Sequence, residues 1–238
     1  MLSTLFLTLS SESSLSMVDY FARANMAEQV IVVLLVLCSF AAWTVMIGKY
    51  LDLSRLRNMN LAFERKIAQV GRLLDINLSS SKTQAPYGVM VLEAQQALEK
   101  APFYESTSSA QRMRYVENAL QRVVSQECVG YESKMVFLGT MISGAPFLGL
   151  LGTVWGIMDA FGAMGTQASV TLQSLAPGVS GALVTTVAGL LVAIPAVFGY
   201  NFLLSETKIM VTELENFASN LADRVELELE SDTMELRN

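Results

Sequence analysis

Three of the threonines and the one aspartate of a long apolar stretch, Met135 to Ser205, have side chains that could do chemistry, and the aspartate is its single charge. Thr153 and Asp159 lie in its first half, and Thr185 and Thr186 in its second half. Hydroxyls can ligate a hydrated proton or a cation without changing charge near neutral pH. An ionisable group at membrane depth is costly and usually functional. These residues therefore indicate a polar seam within the apolar stretch, although threonine hydroxyls also bond to their own helix, and Asp159 is either an interface anchor or a proton or ion ligand.

The elements that must position these side chains are two apolar helices joined by a short turn. Each half of the stretch is too long and too uncharged for a helix in a soluble core, and each repeats small residues every three or four positions. In lipid, such stripes mark places where helix backbones approach closely. We expect helix packing and partner contact at four glycines, which are Gly152, Gly156, Gly181 and Gly189. A tightly packed helix pair with no further role is the simpler interpretation.

Two segments of the stretch resemble the signature helices of the MotA/TolQ/ExbB proton-channel family, and the TolQ branch most of all. They are GLLGTVWGIMDAF, residues 149–161, and LAPGVSGALVTTVAGLLVAIPAVFGYN, residues 175–201. The resemblance implies a ring of subunits, commonly a pentamer, around a dimer of a one-span partner such as TolR or ExbD. It also implies that the partner supplies an essential aspartate, with Thr153 and Thr186 facing it along the proton path. Thr185 is an additional neighbour.

The chain departs from the family pattern at Gly181. Members of the TolQ and ExbB branches usually carry a glutamate five residues before the threonine that corresponds to Thr186, and this chain has glycine there. We expect a gap at Gly181 and a protonatable group supplied by the partner's aspartate, with Asp159 as a second candidate. A carboxylate-poor path is also compatible with sodium, whereas the resemblance favours protons.

The composition argues against several classes of function. The 238 residues are 52% hydrophobic with a mean hydropathy of +0.42, which is typical of an integral membrane protein. The formal net charge of −6, without a basic cluster, argues against a nucleic-acid partner. Histidine is absent, which removes Ser-His and Cys-His catalysis. The two cysteines have no metal-ligand spacing. We therefore expect neither an enzyme nor a bound metal or cofactor.

The charge distribution predicts the topology. Twelve lysines and arginines lie from Lys49 to Lys134, and the turn near residues 164–171 has none, which places the former segment in the cytoplasm. The predicted order is an extracytoplasmic segment 1–28, a transmembrane helix 29–48, a cytoplasmic helical domain 49–134, a transmembrane helix 135–163, a periplasmic turn 164–171, a transmembrane helix 172–205 and a cytoplasmic helical extension with an acidic tail 206–238. The last cytoplasmic helix is expected to run directly into the second span, and the third helix to extend to Leu229.

The sequence thus predicts an all-α membrane protein with three spans and long cytoplasmic helical extensions. The function that fits is a ring-forming subunit of a proton-driven motor in a bacterial inner membrane, with its N-terminus in the periplasm and its C-terminus in the cytoplasm. Such a subunit couples ion flow to movement of a one-span partner dimer, for envelope maintenance, import or motility. The alternative is a non-conducting membrane scaffold whose small-residue surfaces hold partner helices.

Overall fold

Helices account for all regular secondary structure in the residues that the computed structural model describes, which are 21, 24–70, 72, 85–100, 109–164 and 172–235. The helices are α1 (Met26–Ile67), α2 (Pro86–Lys100), α3 (Ser109–Glu132), α4 (Met135–Met164) and α5 (Leu172–Glu235). The predicted all-α class is confirmed for these residues. Residues 1–20, 22–23, 71, 73–84, 101–108, 165–171 and 236–238 lie outside them, and with them most of the predicted extracytoplasmic segment 1–28 and of the predicted periplasmic turn 164–171.

Three helical stretches are long and apolar enough to cross a membrane, as the sequence predicts. They are Met26–Ile67, Ser109–Ala163 and Leu175–Ser231. The third helix is longer than expected, because α5 continues six residues past Leu229 to Glu235. Its acidic end is therefore helical.

The structure contains a break between α3 and α4 where the sequence predicts a continuous helix. A turn at Ser133 and Lys134 separates the two helices, and Lys134 has a φ of 67°. Lysine rarely adopts this left-handed conformation, because its Cβ crowds the following carbonyl. Neither glycine nor proline marks the turn, so composition does not reveal it.

One compact unit comprises the described parts of residues 1–46 and 137–200. The first half of α1 packs there against α4 and α5 through a small core formed by Ile31, Leu35, Ala145, Val192 and Ala193. Between α4 and α5 the contacts run in opposite directions along the two helices: Gly178 lies against Ala160, and Gly189 against Ala145. The two helices are therefore antiparallel and in close contact over several turns.

The second unit comprises the described parts of residues 47–136 and 201–238. Two apolar helical stripes are buried in it, namely Met113, Val116, Leu120 and Val123 on α3 and Met210, Leu214, Leu221 and Val225 on α5, while Phe217 in the second stripe is partly buried. Tyr87 at the start of α2 stacks on Phe217 with ring centroids 3.9 Å apart. Its hydroxyl donates to the Glu213 carbonyl at 3.3 Å.

Charged side chains also connect helices within this second unit. Lys49 is buried, and its Nζ donates to the Gly130 carbonyl at 3.0 Å, near the end of α3. A cation at that place compensates the unpaired carbonyls of a helix C-terminus. Arg57 forms ion pairs with Glu213 at 2.7 Å and Glu206 at 3.7 Å. Both interactions join α1 to other helices of the same unit.

Candidate functional site

The three threonines singled out in the sequence meet at the contact between α4 and α5, in the first unit. Thr153 comes from α4, and its Oγ1 lies 3.4 Å from Thr185 Oγ1 and within hydrogen-bond distance of Thr186 Oγ1. Thr185 is buried, whereas Thr153 and Thr186 are partly buried. We call these three side chains the hydroxyl cluster.

Two backbone carbonyls accept hydrogen bonds from the hydroxyl cluster. Thr185 Oγ1 lies 2.9 Å from the Gly149 oxygen and 2.7 Å from the Ala182 oxygen. Thr153 Oγ1 lies 3.3 Å and 3.0 Å from the same two oxygens, and Thr186 Oγ1 lies 3.3 Å from Gly149 O.

The hydroxyl cluster has more possible hydrogen bonds than it can form at once. A hydroxyl has one proton to donate, and a carbonyl oxygen has two lone pairs, one of which normally serves the helix itself. Three hydroxyls therefore share about two free carbonyl positions, and the third must bond to another hydroxyl. Rotation of the hydroxyls exchanges these partners, which is the property needed to pass a proton along the contact.

Glycines allow α4 and α5 to approach closely enough for these bonds. A Cβ added to Gly152 would lie 2.5 Å from Thr185 Oγ1, and one added to Gly189 would lie 2.6 Å from Ala145 O. Both distances are far inside van der Waals contact, which begins near 3.5 Å for carbon atoms. Gly152 and Gly189 therefore lie at the closest approach of α4 and α5 within this chain.

The other two predicted glycines, Gly156 and Gly181, lie against a carboxylate that no pattern of apolar or small residues indicates. Glu28 from α1 is 2% exposed. A Cβ added to Gly156 would overlap Glu28 Oε1, and one added to Gly181 would lie 3.3 Å from Glu28 Oε2. We call this space the carboxylate slot. Where the sequence predicts a gap at Gly181, the structure therefore places Glu28.

Asp159 lies apart from the hydroxyl cluster but is connected to the carboxylate slot. It is exposed and six residues from Thr153, which corresponds to about 9 Å along the helix axis. The side-chain amide of Asn25 donates to Asp159 Oδ2, while the Asn25 backbone N–H donates to Glu28 Oε2 at 2.9 Å. Asn25 thus bridges the two carboxylates.

Glu28 was missed because it directly precedes the apolar run that predicts the first span at residues 29–48. A local signal was present, since Asn25 and Glu28 have the spacing of a helix N-cap and its third residue. The hydrogen bond from Asn25 N–H to Glu28 is the corresponding half of a capping box. Over the described ranges, no group of three or more His, Cys, Asp or Glu residues is placed to hold a metal ion.

Comparison with known proteins agrees with the resemblance seen in the signature segments. The model of the "MotA/TolQ/ExbB proton channel family" matches residues 90–216, just over half of the 238 residues. The biopolymer transport protein ExbB of Neisseria meningitidis serogroup B is 32% identical over 196 residues, which cover 81% of this chain and 89% of that protein.

Two further relatives are TolQ proteins. The Tol-Pal system protein TolQ of Haemophilus influenzae is 30% identical over 213 residues, covering 86% of this chain and 91% of the relative. That of Pseudomonas aeruginosa is 29% identical over 211 residues, covering 85% and 89%. Identity alone does not separate the two branches.

Proposed function

Because the chain belongs to the MotA/TolQ/ExbB proton channel family, we propose that it is the ring-forming subunit of a proton-driven motor in a bacterial inner membrane. In this role the protein couples ion flow to movement of a one-span partner dimer of the TolR or ExbD type. The proposed spans are residues 29–48, 135–163 and 172–205, with the N-terminus in the periplasm and the C-terminus in the cytoplasm. The positive charge of residues 49–134 supports this orientation.

The hydroxyl cluster is the observation that carries the proposal. Thr153, Thr185 and Thr186 come from two different apolar helices, and their hydroxyls lie close enough to exchange hydrogen bonds. All three lie inside the part of the chain that the family model matches. A protonated water or a partner's carboxyl that reaches Thr153 or Thr186, both partly exposed, would find an acceptor there.

The proposed ring, with about five subunits and the third spans innermost, rests on the resemblance. Large apolar side chains are exposed along the spans, including Phe147, Trp155, Leu183 and Phe198. Such surfaces suit both lipid and neighbouring subunits. Native mass spectrometry in mild detergent is expected to show a closed oligomer, and a stable monomer would contradict the ring.

The decisive experiment measures proton flux in liposomes that contain the complex purified with its partner. The double change Thr153→Val and Thr186→Val keeps side-chain shape but removes two hydroxyls, and we expect it to abolish flux. Thr44→Val is the matched control, because Thr44 is exposed and its hydroxyl bonds to its own helix at Phe40 O. That control is expected to conduct like the unmodified protein.

A non-conducting scaffold is the second candidate, and one observation favours it. Each hydroxyl in the cluster has a backbone carbonyl as a possible acceptor, so hydrogen bonds that simply hold the helices together would explain the arrangement. The protein is a scaffold if the unmodified complex carries no proton flux and the variant with both Thr153→Val and Thr186→Val keeps its cellular function.

The transported ion and the process are tested separately. Flux that follows a sodium gradient and ignores a protonophore would replace protons with sodium. Envelope maintenance, import and motility differ in the periplasmic part of the partner. Identifying the protein that co-purifies with this chain therefore distinguishes them.

A further inference from the structure

Glu28 carries an inference that goes beyond the hydroxyl cluster. The residue is 2% exposed, and its carboxylate lies against Gly156 of α4 and Gly181 of α5. A carboxylate buried against apolar helices costs free energy unless it is protonated, paired with a cation or held by hydrogen bonds. No cation is available on the apolar helices packed against it, since Met135–Met164 and 172–200 contain no lysine or arginine.

The surroundings of Glu28 connect it to the hydroxyl cluster. Gly156 lies against Glu28, and a Cβ at Gly156 would also lie 2.7 Å from the Ala182 Cβ. The Ala182 carbonyl accepts hydrogen bonds from Thr153 and Thr185. The carboxylate slot therefore adjoins the hydroxyl cluster along the same contact between α4 and α5.

On the other side, the carboxylate slot adjoins an exposed acid. Asp159 is the one ionisable residue of α4 and of 172–199 in α5, and Asn25 connects it to Glu28 by hydrogen bonds to both carboxylates. Exposed Asp159, buried Glu28 and the hydroxyl cluster thus form an ordered series of groups that bind protons or accept hydrogen bonds.

We propose that Glu28 is a proton-binding site on the ion path, reached from Asp159 and leading to the hydroxyl cluster. The proton adds to a Glu28 carboxylate oxygen and leaves again, so the residue alternates between carboxylate and neutral acid. The carboxylate slot has room for this group because residues 156 and 181 lack side chains. The proposal rests on the proposed function, since it assigns a residue to the same ion path.

A purely structural role is the competing explanation, because Glu28 accepts a capping hydrogen bond from Asn25. Glu28→Gln separates the two roles. Glutamine has the same shape and also serves at this position of a capping box, but it cannot bind and release a proton. We expect the variant to keep its melting temperature and oligomeric state while flux falls by about a hundred-fold, the low end for loss of a positioned proton-transfer group.

Relocating the carboxylate gives a second, independent test. Glu28→Ala empties the slot and should abolish flux, and adding Gly181→Glu supplies a carboxylate from α5. We expect Glu28→Ala with Gly181→Glu to restore conduction and Glu28→Ala with Gly181→Gln not to restore it. Equal restoration by both would show that filled space is what matters and would overturn the proposal.

A spectroscopic measurement tests the role of Glu28 independently of the proposed function. Infrared difference spectra of the purified protein between low and high pH should contain a carboxyl C=O band that Glu28→Gln removes and Asp159→Asn retains. If the unmodified complex carries no flux, the proposed function fails. If it conducts and Glu28→Gln conducts equally, or if Glu28→Gln leaves the band intact, the proton-binding role of Glu28 fails.

Discussion

The contact between α4 and α5 and the contact around Arg57 hold helices together by opposite means. At the first, glycines bring two backbones together, and hydroxyls bond to carbonyls of the other helix. At the second, the Arg57 side chain, 44% exposed, reaches Glu206 and Glu213 on α5. The first arrangement has no free space for an added atom, whereas the second has long side chains that can readjust.

The difference follows from the surroundings of each contact, which are lipid for the first and water for the second. Lipid supplies no hydrophobic drive between helices, so association depends on close packing and interhelical hydrogen bonds. Water solvates long charged side chains and weakens their ion pairs, so each pair contributes little and tolerates change. Substitutions should therefore be costly at the glycine contact and mild at the charged one.

The largest effect is expected from Gly189→Leu. A Cβ at this position would already lie 2.6 Å from Ala145 O and 3.1 Å from the Gly149 Cα, and backbone atoms cannot move aside. We expect the variant to lose about 3 kcal/mol of stability or to misassemble. Thermal unfolding and size-exclusion profiles in mild detergent measure this.

Gly144→Leu is the matched control on α4, because an added Cβ there has nothing within 4 Å. It should unfold like the unmodified protein. Equal unfolding temperatures for Gly189→Leu and Gly144→Leu would contradict the expectation that only Gly189 is too tightly packed for a larger side chain.

The next effect is expected from Thr185→Val, which keeps the shape of the most buried hydroxyl-bearing residue in the cluster. It removes the donor shared by Gly149 O and Ala182 O, and we expect a loss of about 1 kcal/mol. Combining it with Thr153→Val should cost a different amount from the sum of the single changes, because the two side chains share acceptors. Strict additivity of the unfolding free energies would show that the hydroxyls act independently.

A smaller effect with a distinct pH dependence is expected from Tyr87→Phe. Burial, and secondly the nearby Glu213 carboxylate, raises the pKa of Tyr87 from 10.0 to about 12. The unfolded chain therefore loses this proton at lower pH than the folded protein, and stability falls as pH rises from about 10 to about 12. Phenylalanine removes this component, so the alkaline decline should be shallower.

At pH 8, Tyr87→Phe should cost about 1 kcal/mol or less, since only the hydrogen bond to the Glu213 carbonyl is lost. All other residues are the same in both proteins, so their contributions cancel in the difference. Parallel curves of stability against pH would contradict the role assigned to Tyr87.

The smallest effect is expected from Arg57→Met, at the charged contact. The exposed pairs with Glu206 and Glu213 should contribute about 0.2–1 kcal/mol together, and added salt should reduce the difference between variant and unmodified protein. Unfolding free energies at low and high ionic strength measure both the loss of stability and its dependence on salt. A loss as large as that of Gly189→Leu would mean that the two contacts do not differ in tolerance.

Features that depend on composition and helical period were predictable from the sequence. The three apolar spans, the buried stripe from Met210 to Val225 and the close contact at Gly152 all follow from residue type and spacing. The meeting of Thr153 with Thr185 and Thr186 also follows, because both helices had been assigned to one contact.

Features that depend on tertiary placement were not predictable in the same way. Glu28 is adjacent to an apolar run, and only the folded chain shows that it enters the space left by Gly156 and Gly181, more than a hundred residues away. The turn at Lys134 was missed because its left-handed conformation is imposed on a residue that does not favour it. The sequence patterns describe helices one at a time, whereas both features arise from how helices join.

The carboxylate slot has a consequence for how related genes can diverge. Positions 28, 156 and 181 share one volume, so a side chain gained at either glycine competes with the glutamate already there. An evolving lineage cannot add a glutamate at 181 while position 28 keeps its own without crowding two acids together. Relatives are therefore expected to carry the acid on the first helix or on the last one, and a switch between these states requires at least two substitutions.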